Sequence, residues 1–317
     1  MRNTECIIMG FPSHMPTQLT IQRVAEVEGV GLHTGVRSRV RLLPAPADTG
    51  IVFRRTDLDN FEIRAHIGNL ARVSYATSLM RDGVLISTTE HLLAALYSCG
   101  VDNVYVEIDA IELPILDGSS QPFIELLEQA GTRRLRRRRR YIKVTKPLEV
   151  CDGDRRIGIY PANEFRIQCF VDYGHPAIGP QDIEMPVDRE TFSSELAPAR
   201  TFGFLKDFVG LQEMGLIRGG SLANAIVLDE TSVLNGPLRF ADEFGRHKAL
   251  DLIGDLALVG RPLLASIVAH RAGHALHTQL VTRLLEDASL WIETTDVAER
   301  DSAAGRAGIS EPVSVAP

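Results

Sequence analysis

Phe240-Ala241-Asp242-Glu243-Phe244-Gly245-Arg246-His247-Lys248-Ala249-Leu250-Asp251-Leu252-Ile253-Gly254-Asp255-Leu256-Ala257-Leu258-Val259 is the stretch on which the reading of this chain turns. Its apolar residues recur at helical spacing, which predicts a long helix over 240–259. With about 100° of rotation per residue, His247, Asp251 and Asp255 share a sector of roughly 80° with Phe240, Phe244 and Leu258. Ala249, Leu252, Ile253 and Leu256 occupy the opposite side, so the helix reads as buried nearly all round. Two aspartates and a histidine on a buried helix are costly without partners. His247 and Asp251, four residues apart, can reach one metal ion together. The plain alternative is a polar row lining a solvent-exposed groove.

Two further segments carry matching chemistry, Ser87-Thr88-Thr89-Glu90-His91 and Gly273-His274. His91, His247 and Asp251 would form a nitrogen and oxygen site of three ligands that leaves a position open for water, the arrangement of a catalytic metal. Glu90, beside one ligand, and His274 are candidates for general base and general acid. Ser87 to Glu90 also fits a capping box, which explains Glu90 without catalysis but leaves His91 unexplained. Among His270, His274 and His277, Gly273 interrupts a helical reading. A strand ending at His270 and a turn presenting His274 follow, with His270 at a strand edge or on the surface. These residues read as a metal-dependent hydrolase.

With 317 residues the chain has room for two domains, each with its own core. A net charge of -7 argues against nucleic acid as the main partner, since phosphate binding wants surplus Lys and Arg. Cys6, Cys99, Cys151 and Cys169 form no CxxC pair and read as buried free thiols of a reducing compartment. The apolar run Cys6 to Phe11 is too short and too weakly flanked for a signal peptide. Leu250 to Ala269 is broken by Asp251, Asp255 and Arg261, so no transmembrane segment is expected. A cytoplasmic monomer is the expectation.

Residues 1–17 read as a flexible extension, 18–138 as a first domain, 139–290 as a second, and 291–317 as a disordered tail. The boundary is marked by the basic run Arg133 to Arg140, read as a solvated interdomain connection rather than an anion-binding surface. In the first domain, strand patterns from Gln18 to Arg55 and from Asn103 to Ile108 accompany helices over Thr88–Ser98 and Gln121–Ala130. The second has strands over Tyr141–Val150, Arg156–Tyr160, Phe165–Val171, Ala225–Leu228 and Ala265–His270. Helices are expected there over Phe192–Glu195, Phe204–Glu213 and Leu276–Asp287, besides the long one. Mixed strands and helices in two similar halves give an α+β class.

Taken in order, these segments resemble the UDP-3-O-acyl-N-acetylglucosamine deacetylases, metal-dependent enzymes of the committed step in lipid A synthesis. The first half contributes Gly29-Val30-Gly31-Leu32-His33-Thr34-Gly35, Asp48-Thr49-Gly50-Ile51-Val52-Phe53-Arg54-Arg55, Thr89-Glu90-His91-Leu92, Asp102-Asn103 and Pro114-Ile115-Leu116-Asp117-Gly118-Ser119. The second contributes Ala199-Arg200-Thr201-Phe202-Gly203-Phe204, Gly219-Gly220-Ser221, Leu234-Asn235 and His247-Lys248-Ala249-Leu250-Asp251, with Ala272-Gly273-His274 where many relatives have Ser-Gly-His. The resemblance implies two domains of similar β-α-α-β topology, packed as a sandwich with helices inward and the active site between them. It assigns one Zn2+, with Fe2+ compatible, to His91, His247 and Asp251. Glu90 becomes the base that activates water and His274 the acid, with Asp255 orienting His274 and Thr201 stabilising the oxyanion. Phe202 would pack on the sugar, Lys248 and Arg271 would meet the diphosphate, and Tyr173 would stack near the uracil. Arg271 stands where relatives commonly carry lysine, which exchanges a point charge for a fork. An insertion near 214–230, centred on Leu216 to Ile226, would form the acyl passage. The implied reaction removes the N-acetyl group of UDP-3-O-acyl-N-acetylglucosamine. The residues alone leave open an amidohydrolase of another acylated sugar or peptide, and a non-catalytic binder of anionic polymers.

Overall fold

The computed structural model describes residues 16–71 and 75–297. Residues 1–15 of the expected N-terminal extension, Cys6 among them, and 298–317 of the expected tail lie outside the described residues.

The first half runs through β1 (Thr17–Ile21), β2 (Ala25–Val30), β3 (Arg37–Pro44), β4 (Ile51–Arg55), β5 (Phe61–Arg64), β6 (Leu79–Arg81), β7 (Val84–Ile86), α1 (Glu90–Ser98), β8 (Val104–Ile108), α2 (Gln121–Ala130) and β9 (Thr132–Arg138). Its main sheet has the order β2-β3-β8-β4-β5. Only the β4–β8 pair is parallel within it. In β8, Val104, Val106 and Ile108 are buried and alternate with half-buried Tyr105 and Glu107, so one face of the sheet meets the core.

The second half runs through β10 (Tyr141–Val144), β11 (Leu148–Asp152), β12 (Arg155–Pro161), β13 (Phe165–Val171), β14 (Gln181–Pro186), the single turn α3 (Arg189–Thr191), β15 (Phe202–Phe204), α4 (Leu205–Glu213), β16 (Ile226–Leu228), α5 (Glu243–Leu256), β17 (Leu263–His270), α6 (His274–Glu286) and β18 (Trp291–Thr294). Its sheet contains the path β11-β12-β17-β13-β14, parallel only at β13–β17. Each half therefore places two hairpins side by side, leaves by a helix, and returns with a strand between them (β8 or β17) before a second helix. Mixed strands and helices of this kind make the chain α+β.

The two helices that precede the returning strands, α1 and α5, pack on each other. Every residue of α1 except Tyr97 is buried, as are all residues of α5 except Arg246 and Lys248. A side chain at Gly254 would place its Cβ 2.2 Å from the Glu90 carbonyl oxygen, so the helices cross at backbone distance.

Several local readings change. Within the Arg133–Arg140 run, Thr132–Arg138 is a strand paired antiparallel with β1: that ladder satisfies its backbone, while Arg133, Arg134, Arg136, Arg137 and Arg138 stay exposed to solvent. Trp291–Thr294 belongs to the sheet as the partner of β10, so the expected tail begins later than residue 291. Cys151 is exposed on β11, whereas Cys99 and Cys169 are buried. His270 ends β17, which has neighbours on both sides, and stacks on Phe170 with centroids 4.8 Å apart instead of marking an edge.

Replacing Gly254 by Ala inserts a methyl group where the Glu90 carbonyl stands. Overpacking of this kind costs about 1–3 kcal/mol. We expect a melting temperature lowered by about 2–4 °C for each kcal/mol lost. An unchanged melting temperature for Gly254→Ala contradicts the backbone-distance crossing.

Candidate active site

Glu90 and His91 form the first turn of α1, and the approach to that turn is tightly held. Thr88 adopts a left-handed backbone (φ 59°), and its hydroxyl donates to Glu112 Oε1 at 2.9 Å. Glu112 is buried and also accepts from His33 N–H (2.9 Å), Thr34 N–H (2.7 Å) and the Thr34 hydroxyl (2.6 Å). A Cβ on Gly31 would come within 2.3 Å of Glu112 Oε2, which is why the Gly29–Gly35 turn has glycine there. The capping-box expectation fails: Thr89 is the N-cap and no side chain caps α1. Glu90 instead points its carboxylate at the Thr77 N–H, which donates to Oε2 at 2.9 Å.

α5 brings the remaining groups to the same place. His91 Nε2 lies 3.6 Å, and His247 Nε2 3.4 Å, from Asp251 Oδ1, and the two imidazoles sit edge-to-face at 5.0 Å. His247 Nδ1 is 3.1 Å from the Ala199 carbonyl, so Nδ1 carries the proton and Nε2 keeps its lone pair for a ligand. All three side chains are buried. One helical turn on, Asp255 Oδ2 accepts from His274 Nδ1 at 2.7 Å and from His277 Nδ1 at 2.8 Å.

The charges explain the protonation states. Burial pushes His247 down to about 3, the neutral form a metal ligand needs. Burial opposes the Asp251 carboxylate, but Lys248, whose ammonium donates to Oδ2 at 2.7 Å, and the surrounding histidines hold it well below the usual range. Burial also works against a charged His274, yet Asp255, Asp251 and Glu90 together raise it to about 9. Glu90 is raised by burial, which outweighs the pull of His274 and His91. Three carboxylates (Glu90, Asp251, Asp255) thus face two cations (Lys248 and His274) in a buried space. Two imidazoles and a carboxylate converging there fit a divalent cation, which also offsets the excess negative charge.

Phe202 lies beside this group. Its ring is 6.3 Å from that of His247 and 5.3 Å from that of Tyr173, with Lys248 Nζ 5.6 Å from its centroid. Thr201 is half-buried and anchored by its N–H on the Gly118 carbonyl at 2.7 Å. Arg271 has a left-handed backbone and pairs with Asp154 in the turn between β11 and β12, whereas Lys248, Phe202 and Tyr173 stand together. Between β15 and β16, the segment with α4 docks on the first half: Arg218 N–H donates to the His33 carbonyl (3.1 Å) and Gly219 N–H to that of Leu32 (3.0 Å). Cβ atoms on Gly118 and Gly219 would come within 2.1 Å of the Asn224 carbonyl oxygen and 2.2 Å of the Gly31 carbonyl oxygen, respectively. Val209, Met214 and Leu222 leave large apolar surfaces exposed on this segment.

The profile of the UDP-3-O-acyl N-acetylglycosamine deacetylase family (LpxC) matches residues 18–286. The chain belongs to this family. It is 56% identical over 278 residues to the UDP-3-O-acyl-N-acetylglucosamine deacetylase of Solibacter usitatus, covering 87% of this chain and 94% of that one. The enzyme of the same name from Myxococcus xanthus is 46% identical over 276 residues, covering 86% and 88% of the two chains. That of Syntrophotalea carbinolica is 42% identical over 289 residues, covering 90% and 94%.

Thr77, His277 and Glu112 escaped the sequence reading. His277 was visible only as one of three nearby histidines, and its spacing of three from His274 on a helix was the available signal. Thr77 and Glu112 offered none, because their partners lie in segments distant in sequence.

Substituting His247→Ala should lower bound metal from one equivalent to well below it, while far-ultraviolet circular dichroism stays native. Full occupancy in that variant contradicts the donor set.

Proposed function

We propose that the protein is a metal-dependent UDP-3-O-acyl-N-acetylglucosamine deacetylase that yields UDP-3-O-acyl-glucosamine and acetate, the committed step of lipid A biosynthesis. The observation that carries this reading is the buried meeting of His91, His247 and Asp251 with Glu90 and the Asp255–His274 pair, in a chain of this family. We assign the ion to the donors His91, His247 and Asp251. Zn2+ suits them, and Fe2+ is compatible with the same set. When bound, the divalent cation supplies Lewis-acid polarisation of the acetamide carbonyl and acidifies water.

The chain's own groups do the rest. Glu90, held by Thr77 N–H and raised by burial, takes a proton from the attacking water as its oxygen bonds to the acetyl carbon. The Thr201 hydroxyl donates to the oxygen that gains negative charge. His274, kept charged by Asp255, Asp251 and Glu90 against burial, gives a proton to the nitrogen as the carbon–nitrogen bond breaks. Asp255 fixes the imidazole by accepting from Nδ1, leaving Nε2–H as the donor toward substrate. Acetate and the free amine leave.

Remote contacts set specificity. Phe202 packs on the sugar, with Tyr173 against its edge for the uracil, while Lys248 provides a cation for the diphosphate. Arg271 joins Lys248 in this role by exchanging Asp154 for phosphate. The exposed apolar residues between β15 and β16 receive the acyl chain, whose binding energy helps place the acetamide. In this reading, 18–138 and 139–290 are two domains packed as a sandwich with α1 and α5 inward. The protein works as a cytoplasmic monomer, and no helix among the described residues is long and apolar enough to cross a membrane.

The pH dependence follows from the two shifts. Glu90 acts deprotonated, raised by burial and lowered by a bound cation, so activity is lost as pH falls through its pKa. His274 acts protonated, so activity is lost as pH rises through its pKa, at or below about 9 because a bound cation opposes its charge. Both limbs belong to the coupled site. Glu90→Ala and His274→Ala should each cut kcat by about 10²–10⁴ with metal retained, and His274→Ala should flatten the alkaline limb. Near-native turnover of Glu90→Ala contradicts its role as base.

A further inference from the structure

Thr77 occupies the segment ahead of β6 and is fully buried. Each of its polar groups is used on a different part of the site. Its N–H donates to Glu90 Oε2 at 2.9 Å. Its carbonyl accepts from the Thr89 N–H at 3.1 Å and the Thr89 hydroxyl at 3.0 Å, which fixes the residue that opens α1. Its hydroxyl donates to Asp255 Oδ1 on α5, and its oxygen lies 3.2 Å from His274 Nδ1. With Oδ1 taken by Thr77, the other oxygen of Asp255 is left to face both His274 Nδ1 and His277 Nδ1.

We propose that Thr77 is a positioning residue that holds the Glu90 carboxylate and the Asp255–His274 pair in one geometry across the two halves. The inference rests on the reading of Glu90 as base and His274 as acid. A carboxylate on a rotatable bond can turn, and a turn at Asp255 moves the His274 ring with it. The Thr77 hydroxyl removes that freedom, and the same residue's backbone fixes the distance to Glu90. His277 completes the arrangement from the far side, donating to the same oxygen that receives His274. Without the hydroxyl, Oδ1 becomes a buried acceptor with one partner fewer, which favours rotation toward any remaining donor.

Threonine permits a clean test, because valine keeps its shape and serine keeps its hydroxyl. Neither change removes the backbone N–H on which Glu90 rests. We expect Thr77→Val to lower kcat by about 10- to 100-fold with KM changed by less than about threefold, since small misplacements are costly. Thr77→Ser should recover most of the rate, and both variants should retain the metal content of the parent. A packing role predicts the reverse ranking, so Thr77→Val faster than Thr77→Ser overturns the proposal. The contact itself is read without turnover, by melting temperatures of Thr77→Val, Asp255→Ala and the double variant. Non-additive losses support the hydroxyl–carboxylate link, and additive losses overturn it. A parent enzyme that does not deacetylate sinks the functional reading and the positioning role together, while the melting cycle still reports the link.

Discussion

The crossing of α1 and α5 at Gly254 is the constraint on which the site depends. The Glu90 carbonyl occupies the place of a side chain on Gly254, so the first turn of one helix lies against the last turn of the other. That contact sets Glu90 and His91 opposite Asp251 and Asp255, residues three before and one after the glycine. His247, a turn earlier than Asp251, then reaches the same space. Any larger residue at 254 separates the helices and spreads the five groups together, because no loop intervenes to absorb the shift.

Placing so many charges in a core is unfavourable unless each has a partner. Lys248 and the histidines hold Asp251 ionised, and His274, His277 and Thr77 hold Asp255 ionised. Removing one member of a buried pair of this kind costs about 3–5 kcal/mol, since the other is left uncompensated. The carboxylate excess that remains is the electrostatic ground for proposing a divalent cation at this point. The surrounding apolar shell, drawn from both halves, keeps the local dielectric low and makes every one of these interactions strong. Stability and chemistry are therefore coupled here.

The central helix was legible because its polar residues recur on one face of an otherwise apolar stretch, an arrangement with few structural excuses. Glu90 and His91 were legible by adjacency, although the capping explanation for Glu90 proved wrong once Thr77 took its carboxylate. Glycines 31, 118 and 219 could be seen as motif members, but the reason lies elsewhere in the chain, in the Glu112 carboxylate for Gly31 and in backbone carbonyls for Gly118 and Gly219. The arginines of 133–138 are solvated as their charge suggests, but the strand was not legible, because its pairing needs only the backbone and β1 supplied the partner. Trp291–Thr294 was read as tail because apolar periodicity fades there, but β10 supplies its partner. Thr77 and His277 acquire meaning only when Asp255 is brought between them, which sequence spacing cannot express.

The most direct test of the account is deacetylase turnover and metal content measured on one purified sample, before and after chelation and on stepwise return of Zn2+ or Fe2+. Activity on UDP-3-O-acyl-N-acetylglucosamine should vanish with the metal and return in proportion to it, saturating near one equivalent per chain. Undiminished turnover in metal-free protein contradicts the account.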